Sequence, residues 1–283
     1  MPISPSNKHH HHESSKRKRW LRVGGITVSA LFILFCFLII LFPEQYRSLL
    51  YRWNLGSHDG VMAGHVRSRY HYDGIDVSHY QGEIDWALVA SDTCIQFVYV
   101  KATEGSTHVD TFYHRNMSGA KEVGLHVGSY HFLTSTSSVH RQFNHFKAHM
   151  SQHPQDLLPM VDVEWAGVKG WSKQQLQDSL AVFLWLVKQH YGRYPLLYAD
   201  SRFYNAHLSP RFDKLPLFIA RYSEEAPIVK GAHRHFIWQR DQYGWVDGIN
   251  HHVDLNAFAV GTTLADILPV SYTHLTLPTI LLV

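Results

Sequence analysis

A chain of 283 residues, 45% hydrophobic and 17% charged, can bury a substantial core as one large domain or two small ones. Its net charge is only +3, and much of the basic excess sits in the first residues, which excludes nucleic-acid binding as the organising function. Two cysteines, Cys36 and Cys94, exclude a disulfide framework; no Cys/His spacing matches a structural zinc site, and no metal or cofactor is expected.

Residues 1–20 are a polar tail with histidines at 9–12, ending in Lys16-Arg17-Lys18-Arg19 and Trp20. Residues 21–43 follow, almost wholly apolar up to Pro43. About 20 apolar residues suffice to cross a bilayer as a helix. A cleaved signal would have a shorter apolar core and a small-residue cleavage site, whereas this run ends Phe42-Pro43-Glu44. The expectation is therefore an uncleaved transmembrane helix. The preceding basic cluster predicts a cytoplasmic N-terminus. The rest would then stand outside a bacterial inner (cytoplasmic) membrane, in the periplasm or at the surface. Residues 44–70 read as a stalk.

The domain begins near residue 71. Strands are expected at 72–77, 95–102 and 126–132, separated by a helical turn at 85–90 and a helix at 112–123 stopped by Gly124. A second helix, 137–152, carries Phe143, Phe146 and Met150 on one face. The run Leu157-Leu158-Pro159-Met160-Val161-Asp162-Val163-Glu164-Trp165 is a strand closed by two carboxylates. Side chains alternate along a strand, so Asp162 and Glu164 share a face. Ser172 and Gln175 form a capping-box pattern opening an amphipathic helix that closes near Gly192. Further strands are expected at 195–198, 217–220, 236–239 and 253–256. Early alternation of strand and helix, with a strand-rich later part, predicts an α/β fold: an irregular β/α (TIM-like) barrel over 71–268. Residues 271–283 follow no pattern of the domain and read as a non-native tail, the in-frame translation of a sequencing-library adapter.

Asp76, Asp162, Glu164 and Asp254 stand at strand ends, with Glu104 a fifth. A parallel barrel would bring such ends to one rim, where active sites gather. Paired carboxylates, one kept protonated, are what glycosidic cleavage requires. Tyr80, Tyr130, Trp165, Tyr198, Tyr222 and Trp238 are expected at the same ends, as surfaces for sugar stacking or as core. Crowded carboxylates repel, and Glu164, beside Trp165, is expected to be the one whose proton is held. His79 and His131 are expected near the rim, hydrogen-bonded to sugar or to neighbouring acids.

The ordered set Asp76-x-Ser78-x-x-Gln81, Lys101-Ala102-Thr103-Glu104-Gly105, Tyr130-His131-Phe132, Asp162-Val163-Glu164, Trp238-Gln239 and Val253-Asp254-Leu255-Asn256 resembles glycoside hydrolase family 25, the Chalaropsis-type lysozymes. The resemblance spans residues 72–267. It implies an irregular β/α barrel that cleaves the β-1,4 bond between N-acetylmuramic acid and N-acetylglucosamine in peptidoglycan glycan strands. Carried over by position, it makes Glu164 the general acid. Asp162 becomes the second carboxylate, a nucleophile or a partner to the substrate's acetamido group, and Asp76 and Asp254 flank and orient the pair. Glu104, Tyr80, Tyr130, Trp165, Tyr198, Trp238 and Gln239 are the expected substrate-binding set. The rivals are a metal-dependent amidase or deacetylase and a non-catalytic, membrane-tethered peptidoglycan-binding module. No histidine spacing falls at a strand end with a matching carboxylate, which weighs against the first. The intact Asp162/Glu164 pair weighs against the second.

Overall fold

The computed structural model describes residues 70–231 and 235–269. The expected anchor at 21–43, the stalk up to residue 69 and the tail at 271–283 lie outside the described residues. Among the described residues no helix is long and apolar enough to cross a membrane.

The strands are β1 (Gly74–Val77), β2 (Phe97–Glu104), β3 (His108–Val109), β4 (His126–Phe132), β5 (Met160–Asp162), β6 (Leu196–Asp200), β7 (Leu217–Ala220), β8 (Ile237–Gly244) and β9 (Val253–Phe258). They form one nine-stranded sheet in the order β1-β9-β8-β7-β6-β5-β4-β2-β3, and β1 also pairs with β2. That last pairing closes the sheet on itself, with β3 a two-residue appendage of β2, so eight strands make a barrel. From β1 round to β8 every neighbour is parallel; β9 is antiparallel to both β8 and β1. The helices are α1 (Trp86–Ser91), α2 (Tyr113–Glu122), α3 (Val139–Met150), α4 (Trp165–Val168), α5 (Lys173–Tyr191), α6 (Ser201–Phe203, continued by a π turn at Tyr204–Leu208) and α7 (Leu264–Ile267). The expected β/α barrel is thus the observed one. Its regularity fails late: β8 turns straight back into β9 with no helix between.

The period-2 alternation of each strand sorts its side chains into two layers. Phe97, Tyr99, Tyr130, Met160, Leu196, Tyr198, Phe218 and Ile237 fill the barrel interior. Val98, Val100, Ala102, Val161, Leu197 and Ile219 face outward and pack under the helices. The longest helix, α5, forms because Ser172 and Gln175 close a reciprocal capping box and Gly192 adopts the left-handed conformation at its end (φ 79°). Leu176, Leu180, Phe183, Leu184 and Val187 make its buried stripe. At the strands' N-terminal end, Leu158 N–H donates to the Ile267 carbonyl at 2.7 Å, so α7 plugs that end of the barrel. Ile267 is fully buried, worth roughly 1.5–3 kcal/mol. Only the opposite end is left for a site.

Gly74 is required by close approach: a Cβ there would lie 2.6 Å from the Phe97 carbonyl oxygen on the adjacent strand. Gly74→Ala is expected to lower stability by about 1–3 kcal/mol, as overpacked cores do. Chemical denaturation reads this directly, and an unchanged midpoint would show that β1 can shift without cost.

Candidate active site

The open end of the barrel holds a cavity of about 680 Å³. Asp76, Glu104, Asp162, Glu164 and Asp254 all line it, together with Tyr80, Tyr130, Tyr198 and Gln239. Four of the acids arrive as expected, at the carboxyl ends of parallel strands: Asp76 from β1, Glu104 from β2, and Asp162 with Glu164 from β5. Asp254 arrives differently. It is the second residue of β9, and β9 runs the other way, so a residue near the beginning of this strand meets residues near the ends of the others. Asp254 stands directly opposite Asp76 in the antiparallel register.

Asp162 ends β5, and the chain stays extended beyond it. Val163 N–H donates to the Tyr198 carbonyl at 3.0 Å, and Glu164 has φ −122° and ψ 154° before capping α4. Alternation therefore continues past the strand, and both carboxyls face the cavity.

Asp76 is the most constrained. Its Oδ2 accepts from Gln239 Nε2 and from Asn256 Nδ2, each at 2.9 Å. Gln239 Oε1 accepts from the Tyr198 hydroxyl at 2.7 Å and the Tyr222 hydroxyl at 2.8 Å. Two phenols on the amide oxygen leave only its nitrogen to face Asp76. Burial pushes the Asp76 carboxyl up to about 6; the two amide bonds pull against this, and the charge of Glu164 adds to it.

The remaining acids are raised too. Burial holds Asp162 well above the usual carboxylate range, reinforced by Glu164 and opposed by Lys101. One of its oxygens, Oδ1, is buried without a hydrogen-bond partner. Burial raises Glu164, again opposed by Lys101. Burial, then Asp76 and Glu164, raise Asp254 well above its ordinary value. The expectation that Glu164 alone holds a raised value is therefore corrected: desolvation acts on the whole cluster. Trp165 is not the cause, because its side chain is exposed and its ring lies 6.1 Å from that of His207.

Neither tryptophan of the expected binding set lines the cavity. Trp238 precedes Gln239 on β8, and neighbouring residues on a strand face opposite sides. With Gln239 inside, Trp238 faces out, donating its indole N–H to the Arg221 carbonyl at 2.8 Å with the Arg240 guanidinium 4.3 Å from its ring. Tyr80 is exposed on the cavity wall. His79 meets Asp110 at 2.8 Å, a neighbouring acid as expected. His131 is not at the rim. It is buried behind the sheet, stacked on Phe183 at 5.1 Å, with Nδ1 2.8 Å from Thr103 Oγ1 and Nε2 3.2 Å from Gln142 Oε1. Burial lowers it to about 3, so it is neutral at physiological pH.

The sequence reading assigned no role to Asn256 or Lys101. Alternation could have found Asn256, two residues from Asp254. Alternation from Tyr99 places Lys101 inside as well, but its pairing with Glu104 is hidden by a β-bulge between Lys101 and Thr103. Without it, Lys101 and Glu104, three residues apart, would face opposite sides; with it both enter the cavity and pair at 2.8 Å. Among the described residues no three His, Cys, Asp or Glu side chains are arranged to hold a metal ion.

Residues 75–249 match the model of the glycosyl hydrolases family 25. The chain belongs to this family. It is a glycoside hydrolase, of the muramidase family its motifs resemble. Relatives include the uncharacterized protein YegX of Escherichia coli O157:H7, 33% identical over 198 residues, covering 69% of this chain and 72% of the relative. The autolytic lysozyme of Clostridium acetobutylicum is 32% identical over 189 residues, covering 66% of this chain and 56% of that one. Among solved structures, the bacterial lysozyme from Streptomyces coelicolor superposes with a TM-score of 0.63 at 28% identity, covering 71% of this chain and 96% of the other. A family 25 glycosyl hydrolase from Bacillus anthracis gives 0.60 at 27% identity, covering 68% and 94%.

Proposed function

We propose that the protein is a membrane-anchored muramidase that hydrolyses the β-1,4 bond between N-acetylmuramic acid and N-acetylglucosamine. The observation that carries this reading is the convergence of Asp76, Asp162, Glu164 and Asp254 on one cavity at the open end of the barrel. Glu164 is the general acid: burial raises its carboxyl and so favours the protonated form that the leaving glycosidic oxygen needs. Asp162 is the second carboxylate, which stabilises or captures the positive charge at the anomeric carbon. Asp76, held by Gln239 and Asn256, and Asp254 orient the pair. Tyr80, Tyr130 and Tyr198 supply sugar-facing surface in the cavity, and Glu104 a hydrogen-bond acceptor.

The anchor is read from the apolar run at 21–43 behind the basic residues 16–19. It would hold the domain outside a bacterial cytoplasmic membrane, facing peptidoglycan. Incubating purified peptidoglycan with the full chain and analysing the released fragments tests the activity. New muramic-acid reducing ends, insensitive to chelators, are expected. Binding without new ends would mean a glycan-binding module, and chelator-sensitive release of peptide or acetate a metal-dependent amidase or deacetylase.

A further inference from the structure

Among the described residues lining the cavity, Lys101 is the single basic side chain, set among five carboxyl groups. It is buried. Alternation along β2 points its stem inward with Tyr99, the bulge at Lys101/Thr103 brings Glu104 to the same side, where it grips the ammonium at 2.8 Å, and the Phe132 ring lies 5.0 Å from it. A lysine in a closed strand wall, with its head pinned and its stem in the sheet, has little freedom to follow a ligand.

We propose that Lys101 is a positioning residue of this site: its ammonium is the fixed counter-charge that lets the carboxylate cluster keep one anion beside one proton carrier. The argument rests on the muramidase reading for its catalytic meaning, but not for its electrostatics. Two carboxyls separated by one residue, with Asp76 and Asp254 facing them, would all tend toward the neutral form in a buried cavity. Glycoside cleavage needs one of the pair ionised. Lys101 opposes the rise at both Asp162 and Glu164. Glu104, on the same strand, moderates it by sharing its charge. The other titratable groups lining the cavity are tyrosines, of which Tyr130, Tyr198 and Tyr222 are neutral at working pH because burial raises them. His131 behind the sheet is neutral because burial lowers it, and Asp200 adds to the rise at Glu164. No second base lining the cavity can take over.

The test is the pH dependence of full-chain Lys101→Met, Lys101→Arg and Glu104→Gln beside the wild type. Two readouts are used: the acidic limb of kcat/KM on peptidoglycan and the infrared carbonyl band of protonated carboxyl groups. An opposite charge a few ångströms away typically lowers a carboxyl by about 1–3 pH units. Lys101→Met is therefore expected to move both the limb and the band upward by at least about one unit. Lys101→Arg should leave both in place even if the rate falls. Glu104→Gln, altering a partly exposed group, should move them down and covers the case in which Lys101→Met does not fold. A limb and band unmoved in Lys101→Met, or unmoved in Glu104→Gln where the former is unfolded, would overturn the proposal. A change in KM alone would then make Lys101 a substrate contact. If the wild type cleaves no glycan the muramidase reading fails, and the infrared titration still decides the role of Lys101.

Discussion

Glu164→Gln is expected to remove turnover while leaving the barrel folded. A positioned general acid contributes about 10²–10⁴-fold to such a reaction, and glutamine keeps the shape of the side chain while removing its acidic proton. The fold has little reason to object. Burial already disfavours the charged form of Glu164, so the amide removes a cost rather than a contact. Melting temperature at neutral pH should accordingly stay level or rise. Steady-state kinetics on purified peptidoglycan, paired with thermal denaturation, checks both halves. Residual kcat within tenfold of the wild type would mean that another of the clustered carboxyls donates the proton. Asp254, also held well above its ordinary value, would be the next to replace.

How much of this could be foreseen depends on which regularities the chain obeys. Alternation along the Asp162–Glu164 stretch is local, and it held even past the end of the strand. The capping box at Ser172 is local as well, and α5 begins where it predicts. The barrel interior follows from the same period, since Phe97, Tyr99 and Lys101 face one way and Val98 and Val100 the other. The readings that failed needed information from a partner strand. Alternation predicts that Trp238 and Gln239 cannot both face the cavity, but only the hydrogen bonds of Gln239 to Tyr198, Tyr222 and Asp76 say which one does. The bulge in β2 is a property of its pairing with β4, so the Lys101–Glu104 pair had no signature in the spacing. The reversed direction of β9 had none either: Asp254 reached the rim for a reason opposite to the expected one. Trp165 failed for a third reason. It follows the Asp162–Glu164 stretch immediately, but it opens a short helix, and the change of backbone geometry turns its ring towards His207.

Asp162→Asn is expected to inactivate the enzyme and, at neutral pH, to stabilise it. The catalytic half follows from charge. An amide cannot balance the positive centre that develops when the leaving group departs, and losing one preorganised stabiliser of this kind costs about 10²–10³-fold in kcat. The stability half follows from linkage. A carboxyl whose folded value lies above its unfolded one binds its proton more tightly in the fold. Its contribution is complete below the ordinary carboxylate value and is lost as the pH rises through the raised one. Asp162 is raised well above 3.8, and Asp76 beside it from 3.8 to about 6. The wild type should therefore lose stability from about pH 4 through 6 and beyond, and the asparagine variant should lose less. The two melting curves should converge at acid pH and separate as the pH rises, with the variant higher. A difference independent of pH would show that Asp162 is not burdened by its buried charge. A variant that is both active and pH-insensitive would remove it from the mechanism. The expected pattern would mean that the site is held in an unfavourable electrostatic state by the rest of the barrel, whose packed interior and sealed opposite end supply the stability that the carboxylate cluster spends on chemistry.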